Sequence, residues 1–268
     1  MAAMCSRFVQ WVVLTSSVTA LAKNGSIDTS VARQYFLEVE KYSEHDGGKL
    51  WGKPLYGPML FVDPTTHSVV ANQKDLQGQL IREDAVYAGR MPEKEQVANF
   101  ATTWAGTKWT MVVWQTIPSN EVKRVRLILH ECFHRIQTDL KLPPSNPSNE
   151  HLDTRDGRIW LQLEWRALAK ALASEDAERH RAIEDALSFR NYRRTIFPKS
   201  ELSERALEMN EGLAEYTGFK LSAGSNEKLI EDVKRQLNEG AQRPSFVRSF
   251  AYVSGPAYGV LLDASGAK

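Results

Sequence analysis

At 268 residues, 42% of them hydrophobic and 25% charged, the chain can bury a sizeable core, and its composition excludes a disordered or fibrous class. A formal net charge of +1 carries no electrostatic footprint for nucleic acid or for an anionic membrane surface, and the basic cluster from Arg190 to Arg194 is too short to supply one.

The N-terminus differs in kind from the rest. Arg7 precedes an apolar run from Phe8 to Ala22 that closes in Ala20-Leu21-Ala22. A positive n-region, an apolar h-region and an Ala-x-Ala site are the build of a secretory signal peptide. Gln10 and several hydroxyls interrupt the run, which is too short to span a bilayer comfortably. Residues 1–22 are therefore expected to be a signal peptide cleaved near Ala22. The mature chain, 23–268, is then periplasmic or secreted, with no stable membrane anchor. Cys5 is lost on cleavage, leaving Cys132 as a packing residue with no disulfide partner.

Residues 23–118 read as a strand-bearing lobe. A helix spans roughly Asp28 to Tyr42, with Val31, Tyr35, Phe36 and Val39 on its buried face. Pro58 to Val62 and Ser68 to Ala71 read as strands joined around Asp63-Pro64-Thr65-Thr66, and a further strand lies around Asp84 to Gly89. Asn99 to Trp104 and Lys108 to Gln115 pair as a hairpin through Ala105-Gly106. Residues 119–268 form a helical lobe, with helices over about 119–140, 157–174, 175–193, 200–222 and 226–239. Pro143-Pro144 and Pro147 break the first pair, and Gly240 stops the last. The tail from Phe246 to Asp263 mixes aromatics with Gly255-Pro256 and receives no element.

The first helix of this lobe carries His130-Glu131-Cys132-Phe133-His134. Residues four apart share a helical face, so His130 and His134 can grip one metal ion, and Glu131 is within reach of a water on that ion. This is the His-Glu-x-x-His pattern of metallopeptidases, which assigns His130 and His134 as Zn2+ ligands and Glu131 as general base. The context fits, since Val125, Leu129, Cys132, Phe133 and Ile136 make an apolar stripe, and Ser119 or Asn120 can cap the helix. The metzincin variant needs a glycine three positions after the second histidine and a third histidine six after it, where Gln137 and Leu140 stand.

A catalytic zinc takes a third protein ligand. Glu204, Glu208, Glu211 and Glu215 recur at helical spacing as one acidic stripe, whose mutual repulsion a cation would relieve. Glu164 is the rival, an acid inside the apolar stripe of Trp160, Leu163, Ala167, Leu168 and Ala171, whose partner is the metal, a ligand histidine or an arginine. Glu150, His151 and Asp153 lie in a Pro-rich loop and are weaker rivals.

Asn210-Glu211-Gly212-Leu213-Ala214-Glu215-Tyr216, downstream of His-Glu-x-x-His, resembles the glutamate helix of the gluzincins, the thermolysin-like zinc metallopeptidases, in the Glu-Gly-x-Ala-x-Tyr form of peptidase-MA-like bacterial domains. The resemblance covers two short helical stretches. It departs from thermolysin in spacing, since Glu211 lies 77 positions beyond His134 (211 − 134). It implies an α+β, zincin-like fold, with a small sheet beside a helical lobe and the zinc cleft between them. It also implies Glu211 as third ligand and Glu215 as the carboxylate that orients a ligand histidine, a place Glu164 could also fill. The oxyanion donor would come from Tyr252 or Tyr258, beyond the glutamate helix. The substrate would be a peptide or protein held along an edge strand. The other readings are a catalytically inactive exported zinc-binding or interaction protein on a peptidase scaffold, and zinc hydrolysis of a non-peptide amide or ester.

Overall fold

The computed structural model describes residues 27–266. Its first helix, α1 (Thr29–Asp46), starts where the Asp28 side chain accepts from the backbone N–H groups of Ser30 and Val31, and it ends at Gly47 in the left-handed region. Six strands follow: β1 (Met59–Val62), β2 (Ser68–Ala71), β3 (Ile81–Glu83), β4 (Val86–Arg90), β5 (Phe100–Trp104) and β6 (Thr107–Val113). They form one sheet in the order β3-β4-β2-β1-β6-β5, in which only the β1/β6 pair is parallel. Asp63 shapes the β1–β2 turn by accepting from Thr65 and Thr66 at 2.8 and 2.7 Å. Ala105 (φ 49°) and Gly106 (φ 77°) make the tight turn between β5 and β6. The strand expected around residues 84–89 is β4, which starts at Val86 because Asp84 at φ 51° sits in the turn of a hairpin with β3, a strand the sequence reading does not place.

Alternation along β1 divides the lobe's packing. Met59 and Phe61 face α1 and α2 (Glu121–Gln137), in a core with Phe36, Val39, Val125, Leu129, Cys132 and Phe133. Leu60 and Val62 face the other way, onto Trp104, Trp109 and Met111. The helical lobe comprises α3 (Arg155–Ala173), α4 (Asp176–Ile196), α5 (Ser200–Leu207), α6 (Leu213–Ser222), α7 (Asn226–Gly240) and α8 (Ser249–Ala264), around Trp165, Leu168, Phe219, Leu237, Phe246 and Phe250. The protein is thus mixed α+β. No helix among the described residues is long and apolar enough to cross a membrane. The expected signal peptide, its cleavage site and Cys5 lie outside the described residues.

The tail is a correction to the sequence reading, since α8 runs straight through Gly255-Pro256. Pro256 has no N–H to give the Tyr252 carbonyl, which instead faces the Gln236 side-chain amide at 3.5 Å. Burial of Phe250, Val253, Ala257 and Val260 outweighs that lost hydrogen bond. Gly255 serves packing: a Cβ there would lie 2.4 Å from the Gly212 Cα, so α8 crosses the helix that carries Glu211 at backbone contact.

Glu164 is fully buried among arginines. Arg193 donates to Glu164 at 2.6 Å and to Glu204 at 3.0 Å, Arg194 also donates to Glu204 at 3.0 Å, and Arg190 joins Glu164 to Glu208. Burial alone would raise the carboxyls of Glu164 and Glu204, but the guanidinium groups, and for Glu204 the His151 hydrogen bond, hold both below the usual range. Such a folded-state shift contributes stability that is complete above the ordinary value of 4.5 and is lost as pH falls below it. Glu208, pushed up by burial, opposes the trend within the cluster. The melting temperature should therefore fall steeply as pH drops below about 4.5, and a flat profile down to about pH 3 would contradict the network. Glu164→Gln should cost about 3–5 kcal/mol in denaturant unfolding, by stranding buried arginine charge.

Candidate metal centre

Asn120 caps α2 by accepting from the Lys123 N–H, and the helix runs over the sheet with its apolar stripe down. That orientation leaves His130 and His134 on the side facing α6. Their Nε2 atoms lie 3.2 Å apart. Glu211 completes a triangle, with its Oε2 3.4 Å from each Nε2. For bonds of about 2.0–2.1 Å at tetrahedral angles, ligand atoms should be about 3.3 Å apart. The three atoms meet that spacing, and they are the one His/Cys/Asp/Glu group among the described residues arranged to hold an ion.

The glutamates reach this place through a change in helical winding. Between α5 and α6 the chain makes a π-helical turn, Glu208–Gly212. A π-turn inserts one residue and offsets the register by about 100°. The acidic stripe expected along 204–215 is therefore divided. Glu204 and Glu208 turn to Arg190, Arg193 and Arg194, while Glu211 and Glu215 turn to the histidines. Glu215 Oε2 lies 2.8 Å from His130 Nδ1, which directs Nε2 of that ring at Glu211.

The electrostatics call for positive charge. Burial would lower His130, but hydrogen bonds to Glu211 and Glu215 and the charge of Glu131 lift it to about 10. Burial would likewise raise Glu211, yet hydrogen bonds from His130, His134 and Tyr252 hold it well below the carboxylate range. Glu131 is pushed up, by burial first, against the pull of the two histidines. Its Oε2 is buried and has no hydrogen-bond partner among the described residues. Three carboxylates around two imidazoles, one of them with an unanswered oxygen, suit a divalent cation and an attendant water.

The centre opens into a cleft of about 690 Å³ between the two lobes. Asn99, Phe100 and Ala101, at the start of the edge strand β5, line one side, and Pro144, Asn146 and Arg248 line others. Tyr252 stacks on the His130 ring, with centroids 5.7 Å apart and 4° between planes.

Two predicted site residues are not brought here. Tyr258 points away and donates to Glu164 at 3.0 Å, and Glu164 itself is held by Arg190 and Arg193 rather than by a ligand histidine. His151, of the rival loop, pairs with Glu204 at 2.8 Å, while Asp153 accepts from the Phe246 N–H and pairs with Arg158. Sequence reasoning missed three residues that line the cleft. Gln137 contacts His134, Asn210 contacts Glu211, and Arg248 lies 3.6 Å from Glu211 Oε1. Helical spacing from His134 would have found Gln137, and recognising α8 would have put Arg248 on one face with Tyr252.

No protein-family model matches this chain, and neither a curated protein nor a solved structure does.

Metal analysis should find about one zinc per chain in a His2Glu arrangement, lost in His130→Ala or His134→Ala. Glu211→Gln should weaken zinc far more than Glu164→Gln, and Glu215→Ala should cost about 10–100-fold in affinity. Full occupancy in the double histidine variant would refute the assignment.

Proposed function

We propose that this chain is an exported zinc-dependent metallopeptidase of the gluzincin type, with a zincin-like arrangement of sheet and helices. The observation that carries the reading is the triangle of His130, His134 and Glu211 at tetrahedral-edge distances, with Glu131 buried beside it. The order of parts also supports it: a sheet, then the histidine helix, then a glutamate helix packed across it. A zinc ion bound there would supply Lewis acidity, polarising the scissile carbonyl and bringing the pKa of water down to about 7.

The residues of the chain do the rest. Glu131 takes the proton of the attacking water and passes it to the leaving amine as the C–N bond breaks. Its buried setting pushes its carboxyl up, towards the range in which one group can both accept and return a proton. Tyr252 lies against Glu211 and lines the same cleft, and we assign it as the donor for the developing oxyanion, its single O–H proton turning from Glu211 to the substrate. An extended peptide would pair with the free edge of β5 through main-chain hydrogen bonds.

Glu131→Gln should keep zinc at full stoichiometry and lose most turnover of a peptide library, because the residue is a base and not a ligand. Loss of zinc in that variant would make Glu131 a ligand or prop. A zinc-loaded wild type that cleaves no peptide but cleaves esters or other amides would change the substrate class, and no turnover at all would leave an inactive zinc-binding protein. Tyr252→Phe should lower kcat with little effect on zinc. Export is tested separately, by N-terminal sequencing of targeted material, which should begin near Lys23.

A further inference from the structure

Each metal-binding imidazole needs its second nitrogen held, and here the two are held by different means. His130 has a carboxylate, Glu215, on Nδ1. His134 has the amide of Gln137, with Oε1 2.9 Å from Nδ1. The Gln137 Nε2 donates to Asn210 Oδ1 at 2.9 Å, and Asn210 Nδ2 donates to Glu211 Oε1 at 3.2 Å. Gln137 and Asn210 are 1% and 5% exposed, so solvent offers them almost no alternative partner.

We propose that Gln137 and Asn210 form an amide relay that ties His134 to Glu211 and fixes the imidazole tautomer from the far end. This rests on the reading of His130, His134 and Glu211 as a metal centre. The direction follows from the inventory of donors. An ionised carboxylate only accepts, so Asn210 must turn its NH2 group to Glu211 and its oxygen to Gln137. Gln137 must then turn its NH2 group to Asn210 and its oxygen to His134. That oxygen requires a proton on Nδ1, which leaves the lone pair on Nε2, facing the ion site. Reversing Asn210 would set its oxygen against the Glu211 carboxylate, and reversing Gln137 would set its oxygen against that of Asn210.

The choice of amides also has an electrostatic reason. Glu131, Glu211 and Glu215 already crowd the site, and a fourth carboxylate on His134 would add like charge beside them. Two neutral amides transmit the orientation set by Glu211 without adding any charge. Gln137 and Asn210 are thus positioning residues, and they join ligands that lie on two different helices.

The test uses the full mature chain with Gln137→Leu, Asn210→Leu and the double variant, each checked for a native melt, with Gln137→Ala and Asn210→Ala in reserve should a leucine fail to fold. Zinc affinity from chelator competition should fall about 10–100-fold in each single variant. Because either change cuts the same chain, the double variant should lose little beyond the weaker single. Losses that multiply would overturn the relay. The second readout is the slowly exchanging Nδ1–H of His134 in 15N-correlated spectra of the zinc-loaded protein. Asn210→Leu does not touch this ring, yet it should broaden or abolish the signal, while the Nδ1–H of His130 stays as an internal control. An unchanged His134 signal would overturn the proposal. If wild type binds no zinc, or His134→Ala keeps it, the metal reading fails instead. The same spectral comparison on zinc-free protein then still decides the relay.

Discussion

Everything at the centre depends on two helices approaching without side chains between them. Glu211 Oε2 can stand 3.4 Å from both Nε2 atoms only if α6 lies almost directly on α2. Gly218 permits that crossing, since a Cβ there would fall 2.5 Å from the Arg126 carbonyl oxygen. Gly255 does the same for α8, which delivers Tyr252 and Arg248 to the other side of Glu211. Close-packed interiors transmit small displacements rather than absorbing them, so a methyl group at either crossing would open the triangle.

The π-turn then determines which acids meet which cations. Without it, four glutamates would share one face and repel across each helical turn. With it, the fully buried Glu204 lies against Arg193 and Arg194, while Glu211 and Glu215 are left for His130 and His134. One inserted residue therefore separates a stabilising ionic cluster from a centre in which carboxylates outnumber imidazoles. The two clusters sit in consecutive turns of the same helical stretch, so they are mechanically joined while their chemistry stays apart.

Local patterns were legible where the physics is local. The stripe of α2, its Asn120 cap and the histidine spacing needed only helical periodicity, and the Ala105-Gly106 turn needed only its two residues. Only the resemblance singles out Glu211 and Glu215, because no periodic rule says which acid of a stripe faces a partner helix. What escaped depends on tertiary packing. Gly255-Pro256 reads locally as a break, and only the burial of α8 between α6 and α7 makes it a helix. Missing α8 left Tyr252 and Tyr258 indistinguishable. Six residues apart on a helix they stand about 240° from each other, so at most one can face the centre. The wide turn at Glu208–Gly212 leaves no mark on the spacing of the four glutamates, so periodicity alone presents the acidic stripe as continuous.

The division between the clusters also explains how the fold tolerates its own centre. Glu131 keeps a buried oxygen without a partner, a state that costs about 1–3 kcal/mol. Glu211 and Glu215 add like charge within the same space. The histidines answer Glu211 and Glu215 through hydrogen bonds, but the Glu131 oxygen has no partner among the described residues, and the Arg248 guanidinium is half-exposed and reaches only Glu211 Oε1, at 3.6 Å. The centre is therefore held in shape from outside, by the apolar packing of α2 on the sheet, the backbone contacts of α6 and α8, and the Gln137–Asn210 amides. Those contacts hold the donors 3.2–3.4 Å apart, so a cation could enter with little rearrangement. A strained polar site of this kind persists where the surrounding structure over-determines it, and here the surrounding structure does so from three sides.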